Sequence, residues 1–136
     1  MQLDESKSLT QMTGFAMVKL YVFNTTLDNQ LPELERLNTK SLVPVERTIS
    51  AGQQAIAQTL TALFSVTFEP HEQSQLINIF EKNPLRLTKL TLSPTGLLTV
   101  GIEGIQDIAS AQSLLMKESI TKTMMQFPEV HRVLFE

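Results

Sequence analysis

At 136 residues, 42% of them hydrophobic, the chain is long enough to enclose one core and reads as a single domain. Charged residues are only 18% and the formal charge is −3, which leaves no clustered basic surface for nucleic acid and no attraction to an anionic membrane. The absence of cysteine excludes disulfides, thiolate metal sites and a cysteine nucleophile.

The first ten residues, MQLDESKSLT, are polar and weakly acidic, without the apolar segment of a signal peptide. No apolar run reaches the ~18–20 residues of a membrane span. Residues 1–14 read as a flexible arm, of the kind that links a domain to an anchor, and 15–136 as the domain. Phe15–Phe23 follows as a strand. Val18, Leu20 and Val22 face one way, and Met17, Lys19, Tyr21 and Phe23 the other. Two largely apolar faces predict a central strand. Asn24–Lys40 is a polar connection with one helical turn after Pro32. Leu42–Ile49 is a second strand, placed at an edge by Pro44, which cannot donate to a ladder.

Ser50 with Gln53 makes a capping box for a helix buried through Ile56, Leu60 and Leu63, joined by Ala57 and Phe64. Val66–Phe68 is a short extended piece. Glu69–Lys82 reads as a second short helix, buried through Leu76, Ile77 and Phe80 and stopped by Asn83-Pro84. Leu87–Leu92 and Leu97–Ile102 form a hairpin around Ser93-Pro94-Thr95-Gly96, with Pro and Gly where a type I turn and a left-handed residue need them. Thr88, Leu90 and Leu92 share a side of the first strand; Leu98, Val100 and Ile102 share a side of the second. The last helix runs from Ser110 to Phe127 with a stripe of Met116, Ile120, Met124 and Phe127. Leu114 and Met125 lie on another side, which implies more than one neighbour. Pro128 ends it, and Val130–Phe135 closes the chain as a strand. The order β-β-α-(α)-β-β-α-β predicts an α+β fold: a mostly antiparallel sheet with two main helices packed on it.

Reactive patterns are sparse. Ser119-Ile120-Thr121-Lys122 matches the S-x-x-K nucleophile motif, but Ile120 belongs to the buried stripe and the accompanying motifs are missing. Gly101-Ile102-Glu103-Gly104 matches a nucleic-acid-clamping GxxG, yet it follows a strand, and Glu103 would repel phosphate; a strand exit accounts for it better. His71 and His131 lie far apart without partners at ligand spacing, whereas a metal needs three or four converging ligands. Glu129 beside His131 makes only a weak acid–base pattern. Asn24-Thr25-Thr26 is a glycosylation sequon, relevant only to a eukaryotic secretory protein. Met116, Met124 and Met125 offer a pliable binding surface or, as is commoner on a helix, core. No catalytic, cofactor-binding or metal-binding residue is assigned, and no cofactor is expected.

Several segments resemble the sporulation and spore germination (GerMN) domain family. They are the strands Val18-Lys19-Leu20-Tyr21-Val22-Phe23 and Leu42-Val43-Pro44-Val45-Glu46-Arg47, the helix Gln54–Phe64 and the hairpin Leu90–Val100. The terminal helix and strand Ser119–Val133, with the junction Phe127-Pro128-Glu129-Val130, complete the likeness, which spans about Met17 to Phe135. The resemblance implies a non-enzymatic, extracytoplasmic bacterial module, often in a lipoprotein or anchored protein. Such a module binds protein or cell-wall partners, meets the membrane only through an anchor outside this chain, and has no catalytic residues to carry over. The alternative is a small cytoplasmic enzyme or ligand-binding subunit whose site forms between protomers.

Overall fold

The computed structural model describes residues 12–136 apart from 74, 83, 84, 106, 107 and 109. The arm over 1–11 and the Asn83-Pro84 stop therefore lie outside the described residues. Among the described residues, six strands form two three-stranded sheets rather than one. β1 (Phe15–Asn24) is the centre of the first sheet, flanked by β2 (Leu42–Ser50) and by the two-residue β3 (Leu76–Ile77), both antiparallel to it. Pro44 sits on the edge strand β2, where no ladder bond is lost. In the second sheet β4 (Arg86–Leu92) and β5 (Leu97–Glu103) form the antiparallel hairpin, and β6 (Arg132–Phe135) adds to β5 in parallel. A parallel pair needs a crossover, and α3 (Ser110–Met124) provides it.

Apart from the short α1 (Thr25–Asn29) after β1, each half of the chain thus reads strand, strand, helix, strand, with α2 (Ala55–Phe64) as the helix of the first half. The pairing differs: β3 joins the first strand of its half, β6 the second. Both halves feed one core. Val18, Leu20 and Val22 of β1 meet Ile56, Leu60 and Leu63 of α2. Leu98, Val100 and Ile102 of β5 join Leu115, Met116, Ile120 and Met124 of α3, and all are buried.

Several local expectations give way to tertiary demands. Ser50 caps nothing: it is still in β2, opposite Phe15, and the helix starts at Ala55 after Gln54, which makes no side-chain cap. The strand end is tied to the helix instead by the Ser50 amide, which donates to Gln58 Oε1 at 3.1 Å. Glu69–Lys82 is no helix. Its described residues form turns, and Leu76–Ile77 runs extended because Phe23 and Asn24 of β1 need a ladder partner. Leu76 and Phe80 are buried as expected, but Ile77 is exposed and Ile79 buried in its place. Val66–Phe68 pairs with no strand. α3 ends at Met124, and Phe127 lies in the turn beyond, its amide donating to Met124 O at 3.1 Å.

The hairpin turn forms as its residues dictate. Gly96 has φ +90° and its amide donates to Ser93 O at 3.0 Å. One strand face differs from the expected one. Leu87 opposes Ile102, while Lys89 opposes Gly101, so Thr88 is an extra residue, a bulge. It turns Leu87, not Thr88, to the side shared by Leu90 and Leu92. Gly101 permits the bulge, since a Cβ there would lie 2.8 Å from both Lys89 Cβ and Thr88 Oγ1.

Candidate functional site

An apolar cleft of about 660 Å³ opens between the start of α2 and the hairpin. Ile56 and Ala57 of α2 form one wall. Leu87, Leu90 and Leu92 of β4, with Leu98 of β5, form the other, and Gln53 and Gln54 stand at the mouth. The bulge at Thr88 builds the β4 wall, because without it Leu87 and Leu90 would face opposite sides. Leu98 and Ile56 are core residues at its floor, while Leu92 is 38% exposed. The cleft persists because α2 packs chiefly on α3, β1 and β2. None of its lining residues titrates. Such a surface offers dispersion and desolvation with two amides to orient a partner, and no group to transfer a proton or attack a bond. Two other concavities of about 500 Å³ each flank α2, one beside Phe15 and Thr48, the other between Phe64 and Glu81; neither joins the two sheets.

The residues weighed for chemistry are dispersed and engaged. Ser119 is fully buried in α3, and its hydroxyl donates to Tyr21 O at 2.6 Å. Lys122 is directed over the Tyr21 ring, 6.0 Å from its centroid. The S-x-x-K pattern therefore serves packing. Two neighbours complete the arrangement. The Tyr21 amide donates to Thr123 Oγ1 at 3.1 Å. The Lys19 amide donates to Gln126 Oε1 at 2.9 Å, and Gln126 Nε2 donates back to Lys19 O at 2.7 Å. Side chains from α3 and the turn just after it stand in for a neighbouring strand along the part of β1 that β3 is too short to reach. Ser119→Ala leaves a buried carbonyl unpaired and is expected to cost about 1–3 kcal/mol in a denaturant titration. A change below ~0.5 kcal/mol would mean that Tyr21 O finds another donor.

Gly101 lies within β5 against the bulge, and Gly104 has φ +103°, so the GxxG pattern marks a strand exit. His71 is exposed in the turn after Pro70; His131 is exposed beside Gly96 and donates its amide to Gly96 O at 2.8 Å. Among the described residues, no group of three His, Asp or Glu could hold a metal ion, and no helix is long and apolar enough to cross a membrane. Asn24 is buried, and its Oδ1 caps α1 (Thr25–Asn29) by accepting the Leu27 amide at 3.0 Å. Met116 and Met124 are core, whereas Met125 is exposed.

One polar centre escaped the sequence reading. Asp28 of α1 is 4% exposed, and its carboxylate accepts from the Leu37 amide at 2.8 Å, the Asn38 amide at 3.0 Å and Ser41 Oγ at 2.9 Å. Burial by itself would raise its pKa. The two amides, the hydroxyl and the charge of Arg36 outweigh it and hold the carboxyl below its usual range. Asp28 thereby fastens the loop between α1 and β2, including Leu37 in the left-handed region at φ +63°. A short acidic residue in a polar loop is common, so nothing in its spacing marked it.

The family model described as "Germane: Sporulation and spore germination" matches residues 19–136. No curated protein matches the chain. Among solved structures, a 2.5 Å crystal structure of a Clostridium perfringens protein, provisionally described as a lipoprotein, is similar with a TM-score of 0.47. It is 17% identical over 90% of this chain and 76% of that one.

Proposed function

The chain belongs to the sporulation and spore germination (Germane) family, and we propose that within it this domain is a non-enzymatic module working outside the cytoplasmic membrane, where its apolar cleft docks a protein partner of the cell envelope. The observation that carries the proposal is the cleft itself: leucines from β4 face α2 across about 660 Å³, with only Gln53 and Gln54 to add polarity. Partly exposed leucines converging on a concave surface favour a partner's apolar side chains over a charged polymer. Family membership supports the envelope setting.

The test replaces the native gene with a Leu92→Glu version in the host, because Leu92 is exposed enough to change without opening the core. Wild-type protein is expected to be digested when protease is added to protoplasts, and the variant to accumulate normally while sporulation or germination falls. Protection of wild-type protein, or a fully functional variant, contradicts the proposal.

A further inference from the structure

One wall of the cleft is also the outer edge of a sheet, since β4 stands at the end of the order β4-β5-β6. The ladder on its inner side decides which backbone groups reach that edge. Ser93 N donates to Leu97 O at 2.9 Å, so this pair is hydrogen-bonded. Val100 O accepts from Glu136 N at 3.0 Å, on the β6 side of β5 and away from β4. Bonded and non-bonded positions alternate along an antiparallel pair. Leu92 opposite Leu98 and Leu90 opposite Val100 are therefore non-bonded positions, and their amides and carbonyls point outward from β5. The side chains of the same two leucines line the cleft. Two donors, two acceptors and two apolar side chains thus meet along one rim.

The first sheet guards its long strands with the chain's own residues. Along β1, Ser119, Thr123 and Gln126 take the backbone groups of Tyr21 and Lys19. On β2, Pro44 has no amide to offer, and the Ser50 amide is held by Gln58. Charged side chains are another common guard of an edge. β4 carries Arg86 and Lys89 on the face away from the cleft, but both are drawn inward across the sheet. Arg86 reaches Glu103 of β5 at 3.8 Å, and Lys89 reaches Glu136 beyond β6 at 3.2 Å. Outward amides and carbonyls at strand spacing are complemented by another extended backbone. A folded helix cannot complement them, because its backbone bonds are made internally.

We infer that the occupant of the cleft is an extended segment of the partner protein, added to the second sheet as a strand beside β4. Its backbone pairs with Leu90 and Leu92, and every second side chain, apolar in character, enters the cleft toward Ile56. The side chains between them face the side of the sheet that carries Lys89 and Thr91, where the cleft imposes no apolar requirement. The inference rests on the docking role proposed for the cleft.

The test uses the full 136-residue chain and a defined probe, a capped peptide of alternating leucine and threonine flanked by lysines for solubility. Binding is followed by amide chemical shifts and hydrogen exchange. Saturable binding is expected, with the Leu90 and Leu92 amides shifted and protected from exchange. In a paired strand only alternate amides of the peptide face β4. N-methylation of one alternate set should therefore weaken binding about ten-fold or more, whereas N-methylation of the other set should change it by less than roughly two-fold. Leu92→Glu should abolish saturation. The methylated peptides are compared on the unaltered protein, so the outcome does not depend on how that variant folds. No saturable binding, or equal effects of the two methylation patterns, overturns the inference. Were either found while Leu92→Glu still impaired sporulation in the host, the docking role would stand and only strand pairing would fall.

Discussion

Phe127→Ala is expected to remove about 3–5 kcal/mol of stability, a large share of what holds a domain of this size together. Phe127 is 1% exposed and lies in the turn between α3 and β6. Its amide donates to Met124 O and its carbonyl accepts from Val130 N at 3.0 Å, so the backbone cannot follow a shrinking side chain inward. Truncation therefore leaves a cavity where the crossover joins the second sheet. A denaturant titration should show a lower midpoint with an unchanged slope. A loss below ~1 kcal/mol would place Phe127 on an exposed, partner-facing surface instead.

Asp28→Ala should cost about 2–4 kcal/mol, because the Leu37 and Asn38 amides lose their acceptor together and Ser41 loses its partner. The effect should depend on pH with a definite sign. The folded-state pKa of Asp28 lies below its unfolded value of about 3.9. Its contribution is thus fully present above that value and is lost as pH falls through the folded pKa. Glu72 acts in the same sense. The Glu69 amide holds its pKa down first, and against partial burial Arg47, 3.0 Å away, adds to the effect. Wild type and Asp28→Asn should therefore differ at neutral pH and converge in strong acid. A gap that stays constant on acidification would show that the charge of Asp28 does not contribute.

What was legible in the sequence was local or periodic. Alternation in Phe15–Phe23 located β1 and its central place, and Ser93-Pro94-Thr95-Gly96 located the hairpin. The stripe Met116, Ile120, Met124 and Phe127 is buried throughout. What escaped depended on partners distant along the chain. Ser119, Thr123 and Gln126 each stand one residue before a member of that stripe, a second, polar row at helical spacing. It is readable as a pattern, but its purpose is set by an unpaired stretch of β1 about a hundred residues earlier. Leu76–Ile77 has helix-compatible neighbours and is extended only because Phe23 and Asn24 lack a partner. The cleft was invisible for the same reason. It depends on a one-residue bulge at Thr88 and on the direction in which α2 leaves β2, and neither has a local signature.

The docking role of the cleft is open to direct measurement by placing a photo-crosslinking amino acid at Leu92, on the cleft wall, and at Glu46, exposed on the edge strand β2. In irradiated, sporulating cells of the native host, position 92 should give discrete higher-mass adducts, and position 46 should give none. Adducts absent from position 92, or equally strong from both positions, would contradict a partner seated between α2 and the hairpin.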